Sequence, residues 1–132
     1  MQVSDDVEAM RRKQLPGLAF SANCPSRTLL DHVTSKWGVL ILVALSGGTL
    51  RWGELRRWAE GISEKMLAQT LRTLEADGLV SREARPVVPP HVDYRLTERG
   101  RELTALLLPL MEWVTEKAPE IIGPQRESAA GV

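Results

Sequence analysis

Three side chains at helical spacing offer the chain's clearest chemistry. Lys65, Gln69 and Arg72 stand at i, i+4 and i+7, so on a helix they project from one side. Gln presents a paired donor and acceptor that match the major-groove edge of adenine. Arg presents two parallel donors that match guanine. Ala76 keeps the same face slim, and Ser63 and Thr73 add hydroxyls at its borders. A second basic group follows at Arg82, Arg85 and His91, around the segment Arg85-Pro86-Val87-Val88-Pro89-Pro90-His91. Arginines near a stiffened tip are placed to touch phosphates or a minor groove.

Enzyme chemistry finds little here. Two His and one Cys, far apart in sequence, make no zinc pattern. No glycine-rich phosphate loop and no nucleophile with a partnered base stands out. The expectation is a non-enzyme without metal or cofactor. Charge alone does not argue for a polyanion partner, because 17 basic side chains balance 17 acidic ones. The distribution must decide, and the surplus it shows is small, with a positive middle and a negative tail. From Arg51 to Arg101 there are ten Lys or Arg against eight Asp or Glu, and beyond Arg101 two against five.

The elements that must position these groups follow from periodicity. Pro25 suits a first helical turn, and Leu29, Leu30 and Val33 begin an apolar stripe. Trp37, Leu40, Ile41, Ala44 and Leu45 continue it on a second helix, which Gly47-Gly48 ends. Thr49 to Arg51 is a short extended link. A helix from Trp52 to Ala59 turns inward Trp52, Leu55 and Ala59, and Gly61 breaks it. Ser63 is an N-cap, and Leu67, Leu71 and Leu74 line the buried side of a helix from Ser63 to Asp77. Gly78 stops that helix. Two short helices around Gly61 form a helix-turn-helix.

The period then changes to two. Leu79 to Ala84 reads as a strand, and Val92, Tyr94 and Leu96 alternate with outward Asp93 and Arg95. A hairpin after a helix-turn-helix makes it winged. Thr97 caps a last helix, lined on one side by Leu103, Leu106, Leu107, Leu110, Trp113 and Val114. Pro109 is expected to bend it. Trp37 and Trp52 lie on stripes. Trp58 and Trp113 are assigned to the core, an inducer pocket between subunits being the alternative. The fold class is mainly α with a small β-hairpin. An arm (1–23, with a short helix near Asp5 to Gln14) precedes the DNA-binding unit (24–96). A terminal helix (97–118) and a fraying tail (119–132) follow it.

Several strings resemble the HxlR-type family of bacterial and archaeal regulators. They are Cys24-Pro25, Lys36-Trp37, Ile41-Leu42, Gly61-Ile62-Ser63, Met66-Leu67, Leu71, Leu74-Glu75, Asp77-Gly78-Leu79-Val80 and Val92-Asp93-Tyr94-Arg95-Leu96-Thr97. The resemblance covers roughly Cys24 to Trp113 and is most specific from Gly61 to Val80. It implies a homodimeric winged-helix repressor or activator, with Ser63 to Asp77 as recognition helix and Arg85 to His91 as wing tip. It implies pairing through the terminal helices, with Leu103 to Val114 as the seam and an inverted-repeat operator in double-stranded DNA. The chain departs from the family at Val33-Thr34-Ser35, where two glycines are usual. It departs again at Trp58-Ala59-Glu60, where an Ile-Pro pair is common.

Cys24 has two uses. In relatives a cysteine here senses oxidants or electrophiles, and a helix N-terminus favours a thiolate. A small buried hydrophobe is the other use. A non-covalent small-molecule effector is the alternative to electrophile sensing. A winged helix serving protein–protein contact without DNA is the rival function, and Lys65 and Arg72 speak against it. The longest apolar run, Trp37 to Leu45, is too short to span a bilayer, and Asp5, Asp6 and Glu8 leave no signal-peptide core. No membrane partner and a cytoplasmic location are expected.

Overall fold

The computed structural model describes residues 7–9 and 21–123. Residues 7–9 are helical. The rest of the expected Asp5 to Gln14 helix, and the tail beyond 123, lie outside the described residues.

Two helices open the described body, α1 (Pro25–Val33) and α2 (Lys36–Leu45). Pro25 takes the first turn of α1, where its missing N–H costs no hydrogen bond. Ser35 caps α2, its hydroxyl accepting from the Gly38 N–H at 3.1 Å. The stripe read for these helices needs correction. Leu29 and Leu30 are exposed, and α1 buries only Val33. On α2 the buried set is Gly38, Val39, Ile41, Leu42 and Leu45, with Leu40 and Ala44 partly covered. The helix is apolar nearly all round, so periodicity cannot choose its inner face.

A two-residue strand β1 (Leu50–Arg51) leads into α3 (Trp52–Trp58) and then α4 (Glu64–Ala76). Leu67, Thr70, Leu71 and Leu74 carry α4 onto the core. Its C-terminus closes in a Schellman pattern. The Gly78 N–H donates to the Glu75 carbonyl and the Leu79 N–H to that of Leu74, each at 3.0 Å. Gly78 takes φ +76°, which a side chain would strain. Leu74 and Leu79 are both buried, so this turn delivers the chain directly into β2 (Val80–Arg85).

The expected two-stranded hairpin is part of a three-stranded antiparallel sheet, ordered β1-β3-β2, with β3 (His91–Leu96) in the middle. The extended link has become an edge strand, pairing Leu50 with Tyr94 and Arg51 with Asp93. On the other side Val80 pairs with Leu96, and pairing continues to Arg85 with His91. Val80, Tyr94 and Leu96 close the core with Leu55, Ile62 and the α2 and α4 side chains.

The last helix, α5, runs Glu98–Ile121. It continues past residue 118, where the sequence reading ended it. A proline removes one backbone donor without stopping the turns beyond it, and the Ile122 N–H still reaches the Ala118 carbonyl at 2.8 Å. No single helix among the described residues is long and apolar enough to cross a membrane.

The start of α5 is fixed by a junction with the end of α4. The Thr97 hydroxyl donates to the Gly78 carbonyl at 2.6 Å and accepts from the Gly100 N–H at 3.0 Å. The Thr97 N–H donates to the Leu79 carbonyl at 3.0 Å. Gly100 is buried there, and a Cβ on it would collide with the Leu79 carbonyl oxygen. Gly→Ala inside a helix ordinarily stabilises, by up to about 1 kcal/mol. Here the sign reverses. Gly100→Ala is expected to destabilise by about 1–3 kcal/mol through overpacking, seen as a lower melting temperature. An unchanged or raised melting temperature would contradict the close approach.

Candidate nucleic-acid interface

Helix α4 separates its residues as the leucine spacing requires. Leu67, Leu71 and Leu74 point inward, while Lys65, Gln69 and Arg72 are all exposed. Glu64 stands 3.9 Å from the Arg56 guanidinium, so an ion pair links α3 to the first turn of α4. The Ser63 hydroxyl accepts from the Met66 N–H at 3.0 Å, which makes Ser63 the N-cap. Thr73 is half-buried. It lines a cleft of about 190 Å³ with Asp31, His32, Met66 and Gln69, turned toward α1 rather than outward.

Two features of this helix had no signal that sequence spacing could find. Met66 is an exposed apolar side chain beside Gln69, visible only as a methionine that the leucine stripe leaves out. The His32 Nδ1 and Asp77 Oδ2 lie 2.7 Å apart, joining the end of α1 to the C-cap of α4. These two residues are 45 positions apart, and nothing local announces the pair.

The wing carries Arg82, Arg85 and His91, but not as three equivalent cations. Arg82 is exposed and has no ion pair among the described residues. Arg85 donates from Nε to Asp93 Oδ2 at 2.6 Å. The Arg51 Nε and His91 Nε2 lie 3.8 and 3.9 Å from Asp93 Oδ1. Asp93 itself is only 9% exposed, against the outward position read from its alternation. β1 covers the second edge of β3 and brings Arg51 opposite Asp93, so an apparently outward residue becomes central.

The leucine side of α5 divides in two. Leu107 is 7% exposed and joins the core, with Leu103 and Met111 packed against it. Gly100, Thr104, Leu107 and Met111 mark the face turned inward. Leu106, Leu110, Trp113 and Val114 lie roughly a quarter turn round the helix, at ~100° per residue, and are exposed, Leu106 to 72%. Leu107 therefore leaves the expected seam. Trp58 and Trp113 leave the expected core, being 68% and 55% exposed.

Cys24 is the N-cap residue of α1, with 6% exposure and no capping hydrogen bond from its side chain. Among the described residues no three His, Cys, Asp or Glu side chains come together to hold a metal ion.

A helix-turn-helix, a hairpin closing a three-stranded sheet and a long terminal helix are shared with one family in particular. The HxlR-like helix-turn-helix family model matches residues 32–121. The chain belongs to that family. An HTH-type transcriptional regulator of Escherichia coli (strain K12), YtfH, is 52% identical over 114 residues, covering 86% of this chain and 90% of that one. The solved structure of ytfH from Salmonella typhimurium superposes with a TM-score of 0.76 at 51% identity, over 84% of this chain and 98% of that one. The redox regulator HypR in its oxidised form gives a TM-score of 0.65 at 41% identity, over 70% of this chain and 96% of that one. The fold is that of the winged-helix regulators, and the chain is a transcriptional regulator of the helix-turn-helix type.

Ser63 occupies both a cap and the border of the exposed face, and substitution separates the two roles. Ser63→Ala removes the cap and is expected to cost about 1 kcal/mol in a melting experiment. Ser63→Asp restores a capping oxygen and that stability, but sets a negative charge where phosphates would lie. Weaker DNA binding by Ser63→Asp at wild-type stability is the expected result. Unchanged DNA binding would remove Ser63 from the interface.

Proposed function

We propose that the chain binds DNA as a homodimer and regulates transcription from an inverted-repeat operator. The observation that supports this most is the exposed Lys65–Gln69–Arg72 face of α4, on a helix held by a cap, a Schellman turn and the core. Gln69 and Arg72 read base edges in the major groove, and Lys65 meets a phosphate. Arg82, Arg85 and His91 bring the wing to the flanking backbone. Repression is the simplest consequence, because a bound dimer excludes other proteins from the DNA it covers.

Dimerisation is supported by the stripe Leu106, Leu110, Trp113 and Val114, exposed on one side of α5. A contiguous apolar patch of this kind is unusual on a lone monomer. The redox names of relatives concern those proteins. Cys24 here is buried, and we assign it no effector.

Two experiments test the reading. Gln69→Ala and Arg72→Ala should lose discrimination between operator and random DNA, by about 1–3 kcal/mol per base contact removed. Arg82→Ala should instead weaken both DNAs alike and flatten the salt dependence. Equal effects on both DNAs from all three would mean that α4 does not read sequence. Leu106→Asp with Leu110→Asp should split the dimer at unchanged helix content and abolish operator binding, as read by light scattering and gel shift. Leu107→Asp should unfold the protomer instead, because it buries a charge in the core.

A further inference from the structure

The wing root holds a carboxylate that the proposed base-reading and phosphate contacts do not use. Successive residues of a strand face opposite sides of a sheet. The register therefore puts Arg51, Glu83, Arg85, His91 and Asp93 on one face, drawn from all three strands. Asp93 sits at the centre of this set, buried, with Glu83 directly opposite it on β2. Two carboxylates paired across strands repel. Arg85 and Arg51 approach Asp93 from either side, on β2 and β1.

The atom by which Arg85 is held matters. Its Nε donates to Asp93 Oδ2 at 2.6 Å, while the side chain as a whole remains 55% exposed. An arginine has five N–H donors in a rigid plane, and this contact uses the one nearest the chain. The two terminal nitrogens make no hydrogen bond to protein among the described residues. They form the edge that grips a phosphate with two parallel hydrogen bonds.

We infer that Asp93 is a positioning residue for DNA binding: it anchors Arg85 through Nε and presents the terminal nitrogens to a DNA phosphate. The inference rests on the DNA-binding reading above and deepens it. Ordering a long side chain before binding removes part of the entropy lost on association. A buried acid beside the interface therefore strengthens binding to a polyanion, although its own charge opposes it.

That opposition supplies the test. Asp93→Asn keeps the shape and removes one negative charge. Bulk electrostatics alone makes the variant bind operator more tightly. Positioning makes it bind about tenfold more weakly, as loss of one charge-assisted hydrogen bond would. Gel shifts at two salt concentrations read the difference, with melting temperatures alongside. Arg85→Lys provides a second arm that leaves Asp93 in place, because lysine keeps the charge but lacks the Nε and terminal-nitrogen geometry. It should weaken binding as much as Arg85→Ala. The double variant Asp93→Asn with Arg85→Ala should be no worse than Arg85→Ala alone. Wild-type protein that binds operator, with Asp93→Asn or Arg85→Lys binding at least as tightly, would overturn the inference and spare the DNA reading. Wild-type protein that fails to bind any DNA would overturn both.

Discussion

The structure depends on one close approach, between the carbonyls of Gly78 and Leu79 and the first turn of α5. Three units meet at that point. α4 ends there in its Schellman turn, β2 leaves from there toward the wing, and α5 starts there under the Thr97 cap. Gly100 permits the contact because it has no Cβ. Backbone hydrogen bonds and a glycine-sized gap leave little room for one unit to move without the others. Helix α4, the wing and the terminal helix are in this sense one body. Any dimer that pairs α5 with its copy also sets the separation of two α4 helices.

Local signals in the sequence carried much of this body, and the places they missed share one cause. The α4 helix was legible because Ser63, the leucine spacing and Gly78 each act within a few residues. The wing was legible from alternation around the prolines. Asp93 was not, because its burial depends on β1, a strand too short to announce itself. The His32–Asp77 pair was hidden by distance along the chain. On α5 the leucines at 103, 106, 107 and 110 give one broad stripe, and only the fit of Gly100 against Leu79 decides which of them face inward. Trp58 and Trp113 look like core residues by type alone, yet the core closes without them.

A net charge of zero is compatible with DNA binding because charge is arranged rather than accumulated. Three of the acidic groups near the basic ones have structural partners. Glu64 stands beside Arg56, Asp77 beside His32, and Asp93 between Arg51 and Arg85. Lys65, Arg72 and Arg82 have no such partners among the described residues. The surface thus offers a few directed cations on a rigid frame. Such an interface favours specific over random DNA, because attraction from net charge, which acts on any sequence, is small.

In the proposed dimer, two copies of α4 are held at fixed separation by the paired terminal helices. The most direct measurement is operator affinity as base pairs are inserted between the two half-sites. Rigid coupling predicts tight binding with half-site centres about one helical turn, ~10 bp, or a multiple of it apart. Inserting about half a turn turns the second half-site to the far side of the duplex, and binding should fall to the level of random DNA. Affinity that is indifferent to half-site spacing would mean that the two α4 helices are not rigidly coupled.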